Sequence, residues 1–143
     1  MAEREHSHVL NVELVTPHGP VFVDEARMVI VPGADGEIGA LPRHQPLVAR
    51  LEPGETRVQR PGEDDWVTFA TGHGYFRVEK DIAWVLVDSA ENADSIDVAA
   101  AERARDDAKA RLEAAEQDEE IDAHRARLDL EDAENRLRVA GRA

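Results

Sequence analysis

Apolar and polar positions follow two different periods along this chain. In the first part, short runs at 9–15, 21–24, 27–31, 47–51, 56–60, 66–70, 75–78 and 82–87 are apolar or alternating, and rich in Val, Ile and aromatics. Alternation sends successive side chains to opposite faces of a strand, and strands recurring roughly every 8–12 residues predict a sandwich or barrel. Turn chemistry separates them: Pro17-His18-Gly19-Pro20, Pro32-Gly33-Ala34-Asp35-Gly36, Pro53-Gly54 and Pro61-Gly62. Each supplies a fixed φ or a residue that tolerates positive φ. Both parities of 66–70 are fairly apolar, which predicts a well-buried strand. In the second part the period lengthens. Ala101, Ala104, Ala108, Leu112 and Ala115 form one helical seam, and Ala126, Leu130, Ala133, Leu137 and Ala140 form another. Such a seam is one face of an amphipathic helix, and its small residues admit a close neighbour.

Composition sharpens the boundary. All seven prolines, all six aromatics and eight of the nine glycines precede residue 85, whereas 91–143 holds 14 alanines. The fold class is therefore α+β over the whole chain: an all-β sandwich domain over residues 1–90, then an α-helical hairpin over 91–143. Asp97 is the expected N-cap of the first helix, with Ile96 before it placed to staple against Ala101. The pairs Asp107–Arg111, Asp132–Arg136 and Glu134–Arg138 have the favourable acid-first i,i+4 order. Between the seams lies Glu116-Gln117-Asp118-Glu119-Glu120, without Gly or Pro. Asp118 is placed to cap a second helix, yet nothing in the run forbids one continuous helix. A rod over 97–140 would reach about 66 Å at 1.5 Å per residue. Seams this narrow predict weak docking rather than a rigid second core.

Charge and chemistry mostly exclude. The 143 residues carry 17 Lys plus Arg and 31 Asp plus Glu, a net charge of −14 shared evenly between the two parts. No cationic stripe is present to neutralise nucleic-acid phosphates. With no cysteine there is no disulfide, thiolate metal site or cysteine nucleophile. No apolar run approaches the roughly 20 residues of a membrane span, and the N-terminus lacks the pattern of a signal peptide. The six histidines show no metal spacing, and no nucleophile–base–orienter set is visible, so no catalytic residue, metal or cofactor is expected. Gly33, Gly36 and Gly39 read as turn and bulge residues, not as a phosphate loop, because no Lys-Ser/Thr follows. On chemistry alone, His44 between two prolines is a surface histidine. A free-standing acidic scaffold with a short coiled-coil tail is the rival reading, although each seam lasts only about three heptads and alanine makes a poor dimer core.

The segment from Val31 to Val48 is the most specific: Pro32-Gly33-Ala34-Asp35-Gly36-Glu37-Ile38-Gly39-Ala40-Leu41-Pro42-Arg43-His44-Gln45-Pro46-Leu47, followed by Leu51-Glu52-Pro53-Gly54. It resembles the epsilon subunit of bacterial F-type ATP synthases. Val12-Glu13-Leu14-Val15-Thr16-Pro17, Gly72-His73-Gly74 and the run from Val85 to Ile96-Asp97 extend the resemblance over nearly the whole chain. The resemblance implies a non-catalytic rotor subunit of the central stalk, peripheral on the cytoplasmic face of the cell membrane, coupling proton transport to ATP synthesis. Its implied partners are the gamma subunit at His44, the c-ring at Glu37, and the alpha and beta subunits through the C-terminal helices. Those helices would restrain ATP hydrolysis when raised, with Arg125, Arg127, Arg136, Arg138 and Arg142 meeting acidic surfaces of the catalytic ring. Some members bind ATP through an I/L-D-x-x-R-A motif. At the first helix it reads Ile96-Asp97-Val98-Ala99-Ala100-Ala101, with Ala100 in place of the arginine, and Asp132 stands where a further arginine would. ATP is therefore not expected as a regulatory ligand. The motif recurs intact at Ile121-Asp122-Ala123-His124-Arg125-Ala126.

Overall fold

The structure, a computed structural model, describes residues 8–141. Ten strands come first: β1 Leu10–Thr16, β2 Gly19–Ala26, β3 Met28–Gly33, β4 Gly36–Ala40, β5 Leu47–Leu51, β6 Gly54–Gln59, β7 Trp66–Thr71, β8 Gly74–Glu79, β9 Ile82–Val87 and β10 Ala90–Asn92. A 3₁₀ turn at Ala93–Ser95 leads to the helices α1 Val98–Ala114 and α2 Ala123–Ala140. Two compact units result, Met1–Asn92 and Ala93–Ala143. The short strand β10 carries the sheet slightly past residue 90.

The strands form a nearly closed sheet in the order β10-β7-β6-β3-β5-β8-β9-β1-β2, with β4 also on β3. Between β3 and β5 the register pairs only Gly33 with Leu51. That thin joint makes the sheet two five-stranded halves of a sandwich. Strand β1 runs parallel to β9, and the other pairings are antiparallel. Cross-strand partners share a face, so Ala49, Phe76, Val85, Leu14 and Phe22 form one inward row across a half. Leu10, Val12, Val29, Val31, Leu51, Val58 and Val78 fill the rest of the core. Phe22 meets Phe69 edge to face, with centroids 5.7 Å apart. The buried hydroxyls of Thr56 and Thr71 satisfy each other at 2.9 Å, as burial in an apolar core requires.

Two strands escaped the sequence pattern, and one was misjudged. Gly36–Ala40 reads as turn because glycines dilute the β signal, yet it pairs residue by residue with β3. Gly39 is not a bulge: it lies opposite Ile30, and a Cβ there would crowd the Met28 methyl at 2.9 Å. Strand β10 is only three residues long, too short to show a period. Strand β7 is buried only in its second half, at Phe69, Ala70 and Thr71, while Trp66 stays partly exposed beneath the Arg57 guanidinium, 5.6 Å from its ring.

In the helical unit, Asp97 caps α1 as expected, its carboxylate accepting the Ala100 N–H at 3.0 Å. The cap of α2 is Asp122, which accepts the Arg125 N–H at 2.9 Å. Asp118 instead accepts the Glu120 N–H at 3.0 Å inside the connection. Aspartate side chains that bond nearby amides offer the backbone an alternative to helix. The acidic run thus ends α1 without glycine or proline, and the chain is a hairpin rather than a single rod. Ala101, Ala108, Ala126 and Ala133 are fully buried on the predicted seams, and Val139 is buried in place of Ala140. The predicted pair of Asp107 and Arg111 forms, and Arg111 has a second partner. It bonds Asp107 at 3.0 Å and also reaches across to Asp129 on α2 at 2.9 Å, while Arg125 holds the other Asp129 oxygen at 3.2 Å. The Asp129 bond, more than any other contact, pushes the Arg111 guanidinium above its ordinary pKa.

Two measurements check this packing. A methyl on Gly74 would collide with the Leu86 carbonyl and the Val87 backbone on the neighbouring strand. Gly74→Ala is expected to destabilise the sandwich by about 1–3 kcal/mol, the usual cost of overpacking. Urea unfolding followed by the fluorescence of Trp66 and Trp84 reads it, and an unchanged midpoint would refute the close approach. In the hairpin, Arg111→Ala and Asp129→Ala should each widen the distance distribution between dyes on Glu102→Cys and Glu134→Cys. The double variant should widen it no further than the worse single one. Additive broadening would mean that the two residues do not act as a pair.

Candidate functional site

His44 sits in the loop between β4 and β5. A turn closes by the His44 N–H donating to the Leu41 carbonyl at 3.2 Å. The imidazole Nδ1 donates to the Gln45 carbonyl at 2.7 Å, since a carbonyl can only accept. In the neutral ring, Nε2 is then the acceptor that remains. Arg43 holds a φ of 68°, unusual for a side chain with a Cβ. Two ties hold it there. Its N–H donates to Asp81 Oδ1 at 2.5 Å, and its guanidinium Nη2 donates to His8 Nε2 at 3.2 Å. Asp81 belongs to the β8–β9 turn, so the loop is fastened to the end of the β5-β8-β9-β1-β2 half.

The outer face of that half is unusually apolar. Register puts Arg50, Tyr75, Leu86, Val15 and Pro20 in one outward row, and Val48, Arg77, Trp84, Glu13 and Val23 in the next. Val48 is 66% exposed, Val23 62%, Tyr75 58% and Leu86 45%. Arg77 lies over Trp84, 5.0 Å from its ring, and pairs with Glu79 at 2.8 Å. A run of exposed apolar side chains with a charged margin is the ordinary mark of a protein-docking face. Sequence reasoning missed Val48, Tyr75 and Leu86 as surface residues. The signal was present, in apolar residues at both parities of β5, β8 and β9.

Glu37 lies apart from His44, on β4 opposite Pro32. Its carboxylate meets Arg57 Nη2 at 3.4 Å, while Arg57 Nε pairs with Glu55 at 3.3 Å. An ion pair this exposed is worth about 0–1 kcal/mol, so Glu37 is steadied but free to exchange partners. Arg57, 20 residues further along the chain on β6, is the residue that linear reading does not connect to it. A groove of about 480 Å³ bordered by Asp35, Glu37, Val48 and Arg50 runs between the β3–β4 turn and β5. It gathers no acid–base or nucleophilic set.

In the helices, Asp97 is engaged as a cap, Ile96 precedes it, and Ala100 presents only its amide. Of the five arginines expected to act, Arg142 lies outside the described residues. Arg127 is exposed, and Arg125 pairs with Asp129 as described above. Arg136 is only partly exposed, with its Nε 3.3 Å from Asp132, and Arg138 donates to Asn135 Oδ1 at 3.1 Å. Asn135 is itself buried. No helix among the described residues is long and apolar enough to cross a membrane.

Comparison with known proteins gives these surfaces a context. Residues 9–93 match the family described as ATP synthase, Delta/Epsilon chain, beta-sandwich domain, and residues 94–141 match ATP synthase, Delta/Epsilon chain, long alpha-helix domain. The chain is 43% identical over 101 residues to the ATP synthase epsilon chain of Desulforudis audaxviator, covering 71% of this chain and 72% of that one. It is 41% identical over 103 residues to the epsilon chain of Acidithiobacillus ferridurans, covering 72% of each. In fold it resembles a chain of the Euglena gracilis mitochondrial ATP synthase, solved as the OSCP/F1/c-ring in rotational state 1. The TM-score is 0.73 at 19% identity, covering 89% of this chain and 78% of that one. The two domain matches follow one another along residues 9–141, and the relatives are above 40% identical over about seven-tenths of the chain: the chain belongs to the ATP synthase epsilon chain family.

Proposed function

We propose that the chain is a rotor subunit at the foot of the central stalk, coupling proton transport to ATP synthesis without catalysing a step itself. The observation that carries this reading is the apolar outer face of Val48, Tyr75, Leu86 and Val23 beside the His44 loop. The gamma subunit docks on that face, where burying the exposed side chains supplies affinity and the charged margin supplies register. Glu37, steadied by Arg57, faces the polar loops of the c-ring. Torque then passes through a rigid sandwich whose core is independent of either contact. The protein works at the cytoplasmic face of the cell membrane, attached only through the complex.

The hairpin is the regulatory part. Its alanine seams bury little area, so a hairpin and a raised form need differ by only a few kcal/mol. In the raised form Arg125, Arg127, Arg136, Arg138 and Arg142 meet the alpha and beta subunits and restrain hydrolysis. ATP is not the ligand of this switch: Ala100 brings no cation to Ile96 and Asp97, and Asp132 adds a carboxylate that engages Arg136. The free-standing scaffold is the weaker reading, because the seams that a coiled-coil tail would offer a second chain are buried at Ala101, Ala108, Ala126 and Ala133.

Two experiments test the proposal. Tyr75→Glu and His44→Glu should each weaken binding to isolated gamma by at least about tenfold, as expected for a charge placed in a buried contact, with unchanged sandwich melting. Full affinity in both variants would remove this face from the interface. Deleting residues from Asp118 onward should raise ATP hydrolysis by the assembled complex while leaving proton coupling mostly intact. Restoring the segment with all five arginines as alanine should recover little inhibition. Unchanged hydrolysis on truncation would overturn the regulatory role.

A further inference from the structure

The β8–β9 connection is a two-residue turn between Glu79 and Ile82, with Lys80 at φ 50° and Asp81 at φ 62°. Both central residues have positive φ, the condition of a type I′ hairpin turn, where Asn-Gly is the inexpensive choice. Here the second position holds Asp, so its side chain must justify a backbone conformation that glycine adopts freely. The Asp81 backbone is already in use, its carbonyl accepting the Asn11 N–H at 2.8 Å. Its carboxylate reaches 38 residues back along the chain to the Arg43 N–H. Among the described residues, Arg43 is the third with a Cβ at positive φ, and it directly precedes His44. The two strained backbones therefore meet through one charge-assisted hydrogen bond. Residues held in sparsely populated conformations persist where the surroundings over-determine them, and they cluster at functional positions.

We infer that Asp81 is a positioning residue for the partner-binding loop: by holding the Arg43 amide it fixes the direction in which the His44 ring is presented. The inference rests on the reading of the His44 loop as a gamma contact. Without the carboxylate, Arg43 loses one of its two ties and relaxes toward negative φ. That rotates the following peptide and with it the imidazole. The bond lies in solvent, so its loss alters the loop rather than the core. The cost falls on binding, because a partner must then reorder the loop as it docks.

Two replacements separate the carboxylate from the turn. Asp81→Asn keeps an acceptor oxygen and tolerates positive φ, whereas Asp81→Gly keeps the turn and its backbone bond to Asn11 but removes the acceptor. In the full-length chain, Asp81→Gly should weaken binding to gamma by about three- to tenfold, the range expected from losing one hydrogen bond that lies in solvent. Asp81→Asn should bind nearly as the parent does. His44→Ala should weaken binding, and adding Asp81→Gly to it should cost little more, because the carboxylate acts through the ring. The Arg43 amide resonance should lie downfield and exchange slowly in the parent and in Asp81→Asn, and lose both properties in Asp81→Gly. A parent-like Arg43 amide in Asp81→Gly would overturn the anchor itself. A changed amide with unaltered affinity, while His44→Ala still weakens binding, would overturn the positioning role alone. Unaltered affinity in His44→Ala would instead overturn the reading of the loop as a gamma contact.

Discussion

The two halves of the sandwich join where β3 and β5 cross, and the rest of the structure depends on how closely their backbones approach there. Gly33 lies opposite Leu51, the Ala34 N–H donates to the Arg50 carbonyl at 2.9 Å, and the Glu52 N–H donates to the Pro32 carbonyl at 3.0 Å. A Cβ on Gly33 would press on the Gly36 carbonyl at 2.5 Å, and one on Gly54 would press on Pro32 Cβ at 2.6 Å. The first of these contacts lies within the β3–β4 hairpin and the second between β6 and β3, so the two glycines set the strands that flank the joint. The segment that most strongly marks the family, with its two Pro-Gly pairs around Asp35-Gly36-Glu37, is thus largely a structural joint. Its chemistry is steric. Once the joint closes, Val31 and Leu51 are drawn into the core and the strands leading to either surface are fixed in register.

A sheet closed this way has its inner faces fully committed, so binding must use the outer faces and the rims. The outward rows through Tyr75 and Trp84 are presented by strands whose inward neighbours, Phe76 and Val85, are completely buried. An interface on such a face inherits the stiffness of the core, which suits a part that transmits torque. The hairpin is built from the opposite materials. Alanine seams remove few methyl groups from water, and stabilisation near the rate of roughly 25 cal/mol per Å² leaves little margin against reopening. The ionic chain Asp107–Arg111–Asp129–Arg125 adds direction to that weak contact: it specifies which residues of α1 face α2. The two units therefore differ in what packs them: branched and aromatic side chains in the sandwich, alanines and ion pairs in the hairpin.

What the sequence disclosed and what it hid follow from the range of each interaction. Periods of two and of about 3.6 are local, and they located eight strands and both helices to within a few residues. The cap at Asp97 is also local and was legible. Linear reading does not separate Asp118 from Asp122 as the second cap, because both aspartates bond a nearby amide and only the backbone path distinguishes a turn from a helix start. The site residues divide the same way. Glu37 and His44 were nameable through the resemblance, but their partners were not. Arg57 reaches Glu37 across β3, which pairs with both their strands, and Asp81 reaches Arg43 from another hairpin. Such contacts join positions distant in sequence and leave no periodic trace. The outer apolar face was hidden differently: exposed Val48 and buried Leu51 look alike until the register is known.

The two Ile-Asp segments show how a motif changes meaning with its surroundings. Asp97 accepts the amide of Ala100, and Asp122 accepts the amide of Arg125, at nearly the same distance and at the same cap position. Capping alone therefore accounts for the Ile-Asp pair at both places, an apolar residue followed by a carboxylate that satisfies a first-turn amide. What would turn a cap into an anion site is the arginine three residues on, and α1 lacks it. At α2 that arginine exists, but Arg125 is directed to Asp129, and Asp129 also engages Arg111. A phosphate entering there would have to displace carboxylates already bonded to the same guanidinium groups, in a chain carrying 14 more negative than positive charges. Coulomb repulsion and the lost pairs act in the same direction. The literal motif and its electrostatic setting thus disagree: at α2 the motif arginine, Arg125, is paired with Asp129, and Asp129 with Arg111, so the sequence match alone does not make an anion site.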